Sequence, residues 1–130
     1  MQAITYNAVR NRIIKNGCPI LNAEQILIKY VQNKKFRVLR SYQICGQSIE
    51  EESKIIDKMI DEIELSNERI ALVVTSIDCL VLHIKKCWVL NKLCKQGKLE
   101  IHFIDDNLII KEDPFLGRAQ ALWKIILARP

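Results

Sequence analysis

The sequence predicts a three-layer α/β domain, with a mostly parallel sheet of four or five strands and helices on both faces. Strand-like apolar segments alternate with amphipathic segments along the whole chain, which is typical of this class. "RIALVVTS", residues 69–76, is apolar almost throughout, as expected of a strand covered on both faces. The 130 residues suffice for one core, and no internal repeat divides them. We therefore expect a single domain over residues 1–130.

The first half of the chain predicts two strands and a helix. "QAITYNAV", residues 2–9, reads as the first strand, and the glycine and proline of "NGCP" mark a loop after it. Asn22 precedes "AEQILIKYVQNKK", which has apolar residues at helical spacing and Gln25 in place to close a capping box. "FRVLRSYQI", residues 36–44, contains enough β-branched and aromatic residues to predict the second strand.

The second half predicts two further helices and two further strands. Ser48 and Glu51 form a capping box that opens an amphipathic helix with an acidic outer face. Residues 80–96 predict a helix that ends at Gly97. "LEIHFI", residues 99–104, alternates as a fourth strand does, and "NLII" predicts a short fifth. The inward residues of the helix before Gly97 are expected to be Ile84, Cys87, Trp88 and Leu93.

A last helix is predicted from Asp113, as its cap, and Pro114 to about residue 128. Its apolar residues cover a wider arc than one buried face needs, and such a surface normally marks an interface. We therefore predict a homodimer closed by a two-fold axis, with Trp123 near its centre. The alternative is that Trp123 packs on the protomer's own sheet. The predicted interface residues are Leu116, Leu122, Trp123 and Ile126.

Composition argues against several classes of protein. The five cysteines are odd in number and form no C-x-x-C pair, so neither a disulfide framework nor a zinc ribbon is indicated. We predict no metal site and no cofactor, and no glycine-rich phosphate loop supports a small-molecule substrate. No apolar stretch approaches the ~20 residues of a membrane span. The start of the chain does not resemble a signal peptide, so we expect a cytoplasmic protein.

The net charge of +5 is unevenly distributed. Residues 1–45 contain eight basic residues and one acidic residue, whereas residues 50–68 contain eight acidic residues and two basic ones. A basic patch of this kind can contact nucleic acid, and Arg10, Arg12 and Lys15 are its first members. The simpler alternative is that both segments are solvated surfaces.

Four short stretches, taken in order, carry a family resemblance. They are "YNAV" followed by Arg10, "LNAEQI" with Gln25, "SIDCLVL" with Asp78, and "PFLGRAQALWKIILA" with Arg118. Together they resemble motifs of the N-terminal catalytic domain of the serine recombinases, the resolvase and invertase family. The resemblance covers nearly all of residues 3–128 and implies a resolvase-like fold.

The residues of the family's chemistry are mostly replaced. In that family the first strand ends Tyr-x-Arg-Val-Ser, and the serine attacks a DNA phosphodiester; Ala8 and Arg10 stand at the arginine and the serine. The family's third strand leads into Lys-x-Asp-Arg-Leu-x-Arg. Here Ser76 stands at the lysine, Asp78 and Leu80 are kept, and the two arginines are replaced by Cys79 and Leu82. The resemblance therefore implies Gln25 and Asp78 as family positions retained without chemistry, with Asp78 expected to cap a helix that starts near Leu80.

These losses lead to the functional prediction. We predict a resolvase-like recombinase domain without strand-cleaving activity, serving as a DNA-associated or dimerising accessory protein of a mobile element or phage. Its phosphate contacts would be Arg10, Arg12, Lys15 and Arg118, with low sequence specificity. We expect no helix-turn-helix DNA-binding domain within residues 1–130. The alternative from another class is a small α/β protein-interaction module with no nucleic-acid role.

Overall fold

The structure, a computed structural model, describes residues 1–9, 19–46, 48–111, 123, 125, 127 and 128. Five strands and three longer helices alternate along this part of the chain. A short 3-10 turn, Ile77–Cys79, follows the third strand. In chain order the elements are β1 (Gln2–Val9), α1 (Pro19–Lys34), β2 (Arg37–Cys45), α2 (Ile49–Leu65), β3 (Ile70–Val74), α3 (Ile84–Lys95), β4 (Leu99–Phe103) and β5 (Leu108–Ile110).

The five strands form one sheet in the order β2-β1-β3-β4-β5. β1 is parallel to both β2 and β3, and β3 is parallel to β4. Only β5 is antiparallel to its neighbour. The predicted mostly parallel α/β domain is therefore confirmed, including its short fifth strand. Because β1 and β3 are adjacent and parallel, their carboxyl ends meet at one edge of the sheet.

Each face of the sheet has its own apolar core. Successive side chains of a strand point to opposite faces, so Leu72 and Val74 of β3 join the larger core while Ala71 and Val73 join the smaller one. The larger core lies under α2 and α3 and includes Trp123 and Leu127; the smaller lies under α1. All five residues of β3 are buried, as predicted for a strand covered on both faces. Each fully buried Leu, Ile or Val contributes about 1.5–3 kcal/mol.

The helix starts were predicted correctly at one position and wrongly at two. Ser48 caps α2, with its hydroxyl accepting a hydrogen bond from the Glu51 N–H at 3.2 Å. The predicted capping box of Asn22 and Gln25 is wrong, because α1 already begins at Pro19 and Gln25 is exposed in its interior. Proline is favoured in the first helical turn since its fixed φ suits the helix and its missing N–H is not needed there.

The helix predicted from residue 80 begins at Ile84 instead. The 3-10 turn occupies the intervening chain, and Ser76 caps it by accepting from the Asp78 N–H at 3.2 Å. The expectation that Asp78 caps the following helix is therefore wrong. The inward orientation of Trp88 is also wrong, since this side chain is 53% exposed. Cys87 and Leu93 are buried as predicted, together with Leu90 and Cys94.

The last predicted helix lies mostly outside the described residues. Positions 123, 125 and 127 are helical, which agrees with the prediction where it can be compared. No helix in the described ranges is long and apolar enough to cross a membrane.

Candidate functional site

The candidate site lies at the carboxyl edge of the sheet, beyond the ends of β1 and β3. Ligands of open parallel sheets bind at this edge, where loops and helix starts converge. α2 follows β2 and α3 follows β3, so both helices begin on this side. The edge therefore brings together Asn7 from the end of β1 with the 3-10 turn that follows β3.

A buried polar cluster joins the ends of the two strands. The Thr75 hydroxyl donates to the Asn7 side-chain oxygen at 2.7 Å, and its Oγ1 lies 3.4 Å from the Cys79 sulfur. Cys79 Sγ also lies 3.8 Å from the carbonyl oxygen of Ala8. All three side chains of the cluster, Asn7, Thr75 and Cys79, are buried. The side-chain amide nitrogen of Asn7 has no hydrogen-bond partner in the described parts of the chain.

The turn after β3 is fixed by side chains from two elements. Besides the Ser76 cap, the Asp106 carboxylate accepts from the Ile77 N–H at 2.8 Å, which ties the turn to the loop between β4 and β5. Asp78 is exposed on this turn, and Cys79 points into the core. The Ser76 and Asp106 side chains are thus engaged in holding the backbone of the turn.

The two positions after β3 at which the family resemblance implies arginines carry no guanidinium group, because they are Cys79 and Leu82. Cys79 is buried in the cluster, and Leu82 is exposed on the chain between the turn and α3. The arginines within the described ranges are Arg37, Arg40 and Arg69. They lie in the first half of β2 and directly before β3, away from the carboxyl edge. Arg40 faces Glu62, and Arg69 donates to the Gly97 carbonyl.

Most predicted contact residues fall outside the described residues. These are Arg10, Arg12, Lys15, Arg118, Leu116, Leu122 and Ile126. Trp123 is described, and it is 1% exposed within the single chain. Its ring centre lies 5.8 Å from that of Phe103, and its indole N–H donates to Asn91 at 2.9 Å. This is the packing that the core alternative requires, and the dimer centred on Trp123 stays a prediction.

A groove with a volume of about 780 Å³ opens between the starts of α2 and α3, and sequence reasoning missed it. At its edge Nε2 of His83 lies 3.0 Å from a carboxylate oxygen of Glu52, and both side chains are almost fully buried. The sequence contained only a weak signal for this buried His–Glu pair. Glu52 lies four and seven residues before Ile56 and Met59, on the buried stripe of α2. The groove is lined by Ile49, Glu50, Ser53, Lys54, Leu82, His83, Ile84, Lys85 and Lys86.

A second buried histidine lies on the opposite face of the sheet, under α1. Nε2 of His102 lies 2.9 Å from Glu100, and Nδ1 lies 2.5 Å from the Tyr30 hydroxyl. The hydrogen bond from His102 holds the pKa of Glu100 below its usual value, against the opposing effect of burial. Burial raises the pKa of Tyr30, and the nearby Glu100 charge adds to that shift. In the described part of the chain no cluster of three His, Cys, Asp or Glu side chains suits a metal ion.

This arrangement of strands and helices is the fold of a serine-recombinase catalytic domain. The chain superposes on the crystal structure of the N-terminal catalytic domain of TP901-1 integrase with a TM-score of 0.71 and 15% sequence identity, over 97% of this chain and 91% of that chain. The resolvase-like fold expected from the sequence motifs is thereby confirmed. No protein-family model matches the sequence, and no curated protein matches it either.

Proposed function

We propose that this chain is a resolvase-like recombinase domain that does not cleave DNA strands and acts as a DNA-associated or dimerising accessory protein. One observation carries the proposal. At the carboxyl edge, where the resemblance implies guanidinium groups, the structure has Cys79 buried against Thr75 and Leu82 exposed without a polar group. Neither side chain can hold a phosphoryl oxygen.

The chemistry of transesterification supports this proposal. Attack on a phosphodiester needs an activated oxygen nucleophile and cationic donors for the charge that develops on the phosphoryl oxygens. Each missing donor costs on the order of 3 kcal/mol of transition-state stabilisation. The nearby Thr75 hydroxyl is a poor substitute nucleophile, because it is buried and donates to Asn7.

DNA association would then depend on phosphate contacts by the basic residues of the first half of the chain and by Arg118. Such contacts position a protein on DNA without reading its sequence. Pairing through the last helix would supply the dimer. A cytoplasmic location follows from the same proposal, since the DNA that it contacts would be intracellular.

A plasmid assay tests the loss of cleavage. Supercoiled DNA is incubated with protein at stoichiometric concentration, and the products are separated with and without denaturation. We expect neither relaxed plasmid nor a covalent protein–DNA species. The R10A variant is the matched control, because Arg10 stands where the family has its nucleophile and the variant should give the same result. Either product from the unmodified chain overturns the proposal.

The protein-interaction alternative is favoured by one feature, the exposed apolar residues Trp88 and Val89 on α3 and Leu82 just before it. A salt series on duplex DNA separates the two functions. Because phosphate contacts release counterions, an interface with a few contacts loses roughly tenfold or more in affinity between about 50 and 200 mM salt. Absent or salt-independent binding would instead support the interaction module.

A further inference from the structure

We infer that the outer edge of β2 is an interface at which two copies of this chain pair their β2 strands antiparallel about a two-fold axis. The inference does not rest on the proposed function, whose dimer is assigned to the last helix. Three observations carry it: a long edge strand, exposed apolar side chains beside it, and opposite charges at its two ends.

β2 lies at the edge of the sheet and has nine residues. In the described part of the chain β1 pairs with one side of β2, and no strand pairs with the other. An edge strand is a template for a further strand unless charges, a bulge or shortness protects it. The register shift with β1 and both arginines of β2 lie in its first half, so Ser41–Cys45 is regular and uncharged.

Apolar side chains are exposed next to this edge. Val38 and Leu39 of β2 are 42% and 37% exposed, and Ile28 of α1 is 46% exposed. Ile28 and Val38 line the same groove between α1 and β2, which has a volume of about 250 Å³. A strand that adds to a sheet edge gains backbone hydrogen bonds and places alternate side chains in such a groove. The edge is therefore suited to an extended partner segment.

The charges at the two ends of β2 are opposite. Lys35 and Arg37 form the basic end, at the start of β2. Glu50 and Glu51 form the acidic end, in the first turn of α2 just after β2. All four side chains are exposed, and none forms an ion pair within the described parts of the chain. Both ends are therefore available to a partner.

These charges favour a second copy in the antiparallel orientation. Parallel pairing in register would set the two Arg37 side chains against each other, which is destabilising. Antiparallel pairing about Ser41 puts Arg37 opposite Cys45 of the other copy, so that each basic end lies towards the other copy's acidic end. At about 3.3 Å per residue the two Arg37 residues are then roughly 26 Å apart, well beyond the screening length of about 8 Å. A second copy matches both ends, whereas an acidic peptide matches only one.

Charge reversal at the two ends tests the inference. K35E/R37E reverses the basic end, and E50K/E51K reverses the acidic end. The matched control is K92E/K95E, which reverses two exposed lysines on α3. Light scattering and sedimentation velocity give the mass of each protein at high micromolar concentration and low salt. Amide hydrogen exchange of Ser41–Cys45 shows whether the outer edge of β2 is covered.

We expect each double variant to have half the mass of the unmodified chain and faster amide exchange in Ser41–Cys45, while the control changes neither. The mass should halve whether or not the last helix also joins two chains. An equimolar mixture of the two double variants should recover the mass, because every end then meets an opposite charge. The quadruple variant K35E/R37E/E50K/E51K should recover it for the same reason.

Three results would overturn the inference. The first is an unmodified chain that is monomeric, or whose mass neither double variant changes. The second is an equal loss of mass in the K92E/K95E control. The third is a mixture of the two double variants that stays dissociated, since restored charge complementarity is what the antiparallel arrangement requires.

Discussion

The two buried His–Glu pairs have nearly the same geometry and different surroundings. His83 lies 3.0 Å from Glu52 beside the groove, and His102 lies 2.9 Å from Glu100 under α1. The second nitrogen of His102 is taken by Tyr30, and the ring of Phe36 packs edge-on against the imidazole at 5.4 Å. The second nitrogen of His83 has no such partner among the described residues.

The difference shows that neighbours determine what a buried ionisable pair can do. A network whose donors and acceptors are all satisfied stabilises a fold and is costly to disturb. The Tyr30–His102–Glu100 group is such a network, whereas the Glu52–His83 pair borders an open groove.

Removing the Glu100 side chain should have the largest effect on stability. E100A leaves His102 buried without its carboxylate, and breaking a buried pair in this way costs about 3–5 kcal/mol. Urea unfolding measures the loss. E100Q is the control, since it keeps an acceptor and should lose less. A loss below about 1 kcal/mol for E100A would show that water reaches the pair, because solvent-exposed ion pairs contribute that little.

Removing Glu52 should cost less, because the groove gives water a route to His83. We expect E52A to lower the free energy of unfolding by about 1–3 kcal/mol, the range for one unsatisfied buried polar group. The same urea experiment provides the comparison. An E52A loss as large as that of E100A would contradict the distinction between the two pairs.

Tyr30→Phe should make His102 resemble His83 by removing the partner of Nδ1. We expect a loss of about 1 kcal/mol, typical of one hydrogen bond. The pKa of Tyr30 is raised on folding, so its contribution is present below pH 10 and is lost as the pH rises through the folded value. Y30F should therefore weaken the alkaline decline in melting temperature. An unchanged decline would show that Tyr30 does not cause it.

The smallest predicted effect is on the acid side. The pKa of Glu100 lies below its ordinary value of 4.5, so the folded state favours the carboxylate. Its contribution is present above pH 4.5 and is lost as the pH falls through the lowered folded value. Melting temperatures measured from pH 6 downwards should fall less steeply for E100Q than for the unmodified chain. Parallel curves would contradict this assignment.

The strands were predictable because their signal is local. "RIALVVTS" shows its burial directly in its composition, "LEIHFI" shows the alternation of a strand, and β1 was placed at residues 2–9 as observed. The start of α3 was not predictable in the same way. Ser76 and Asp106 hold a 3-10 turn in place of the first helical turn. Asp106 lies 29 residues after Ile77, from whose N–H it accepts a hydrogen bond. A contact between residues so far apart in the sequence produces no periodic pattern of apolar residues from which it could be predicted.

The replaced family residues were visible in the sequence, whereas the contacts of His83 with Glu52 and of His102 with Tyr30 were not. Cys79 and Leu82 could be compared with a motif one position at a time. Glu52 and His83 are 31 residues apart, and Tyr30 and His102 are 72 apart. Only the arrangement of helices on the sheet brings each pair together. Trp88 was misassigned because an aromatic residue on α3 was taken as core, while the buried stripe follows Cys87, Leu90 and Cys94.

The central position of β1 has a consequence for the order of folding. β1 pairs with β2 on one side and with β3 on the other, so residues 2–9 are first in the chain but need residues 70–74 to complete their hydrogen bonds. Closing this long loop costs chain entropy before any contact compensates for it. During synthesis, the side chains of Ile4, Tyr6 and Ile44 therefore stay exposed to solvent until α2 and β3, which complete their core, have left the ribosome.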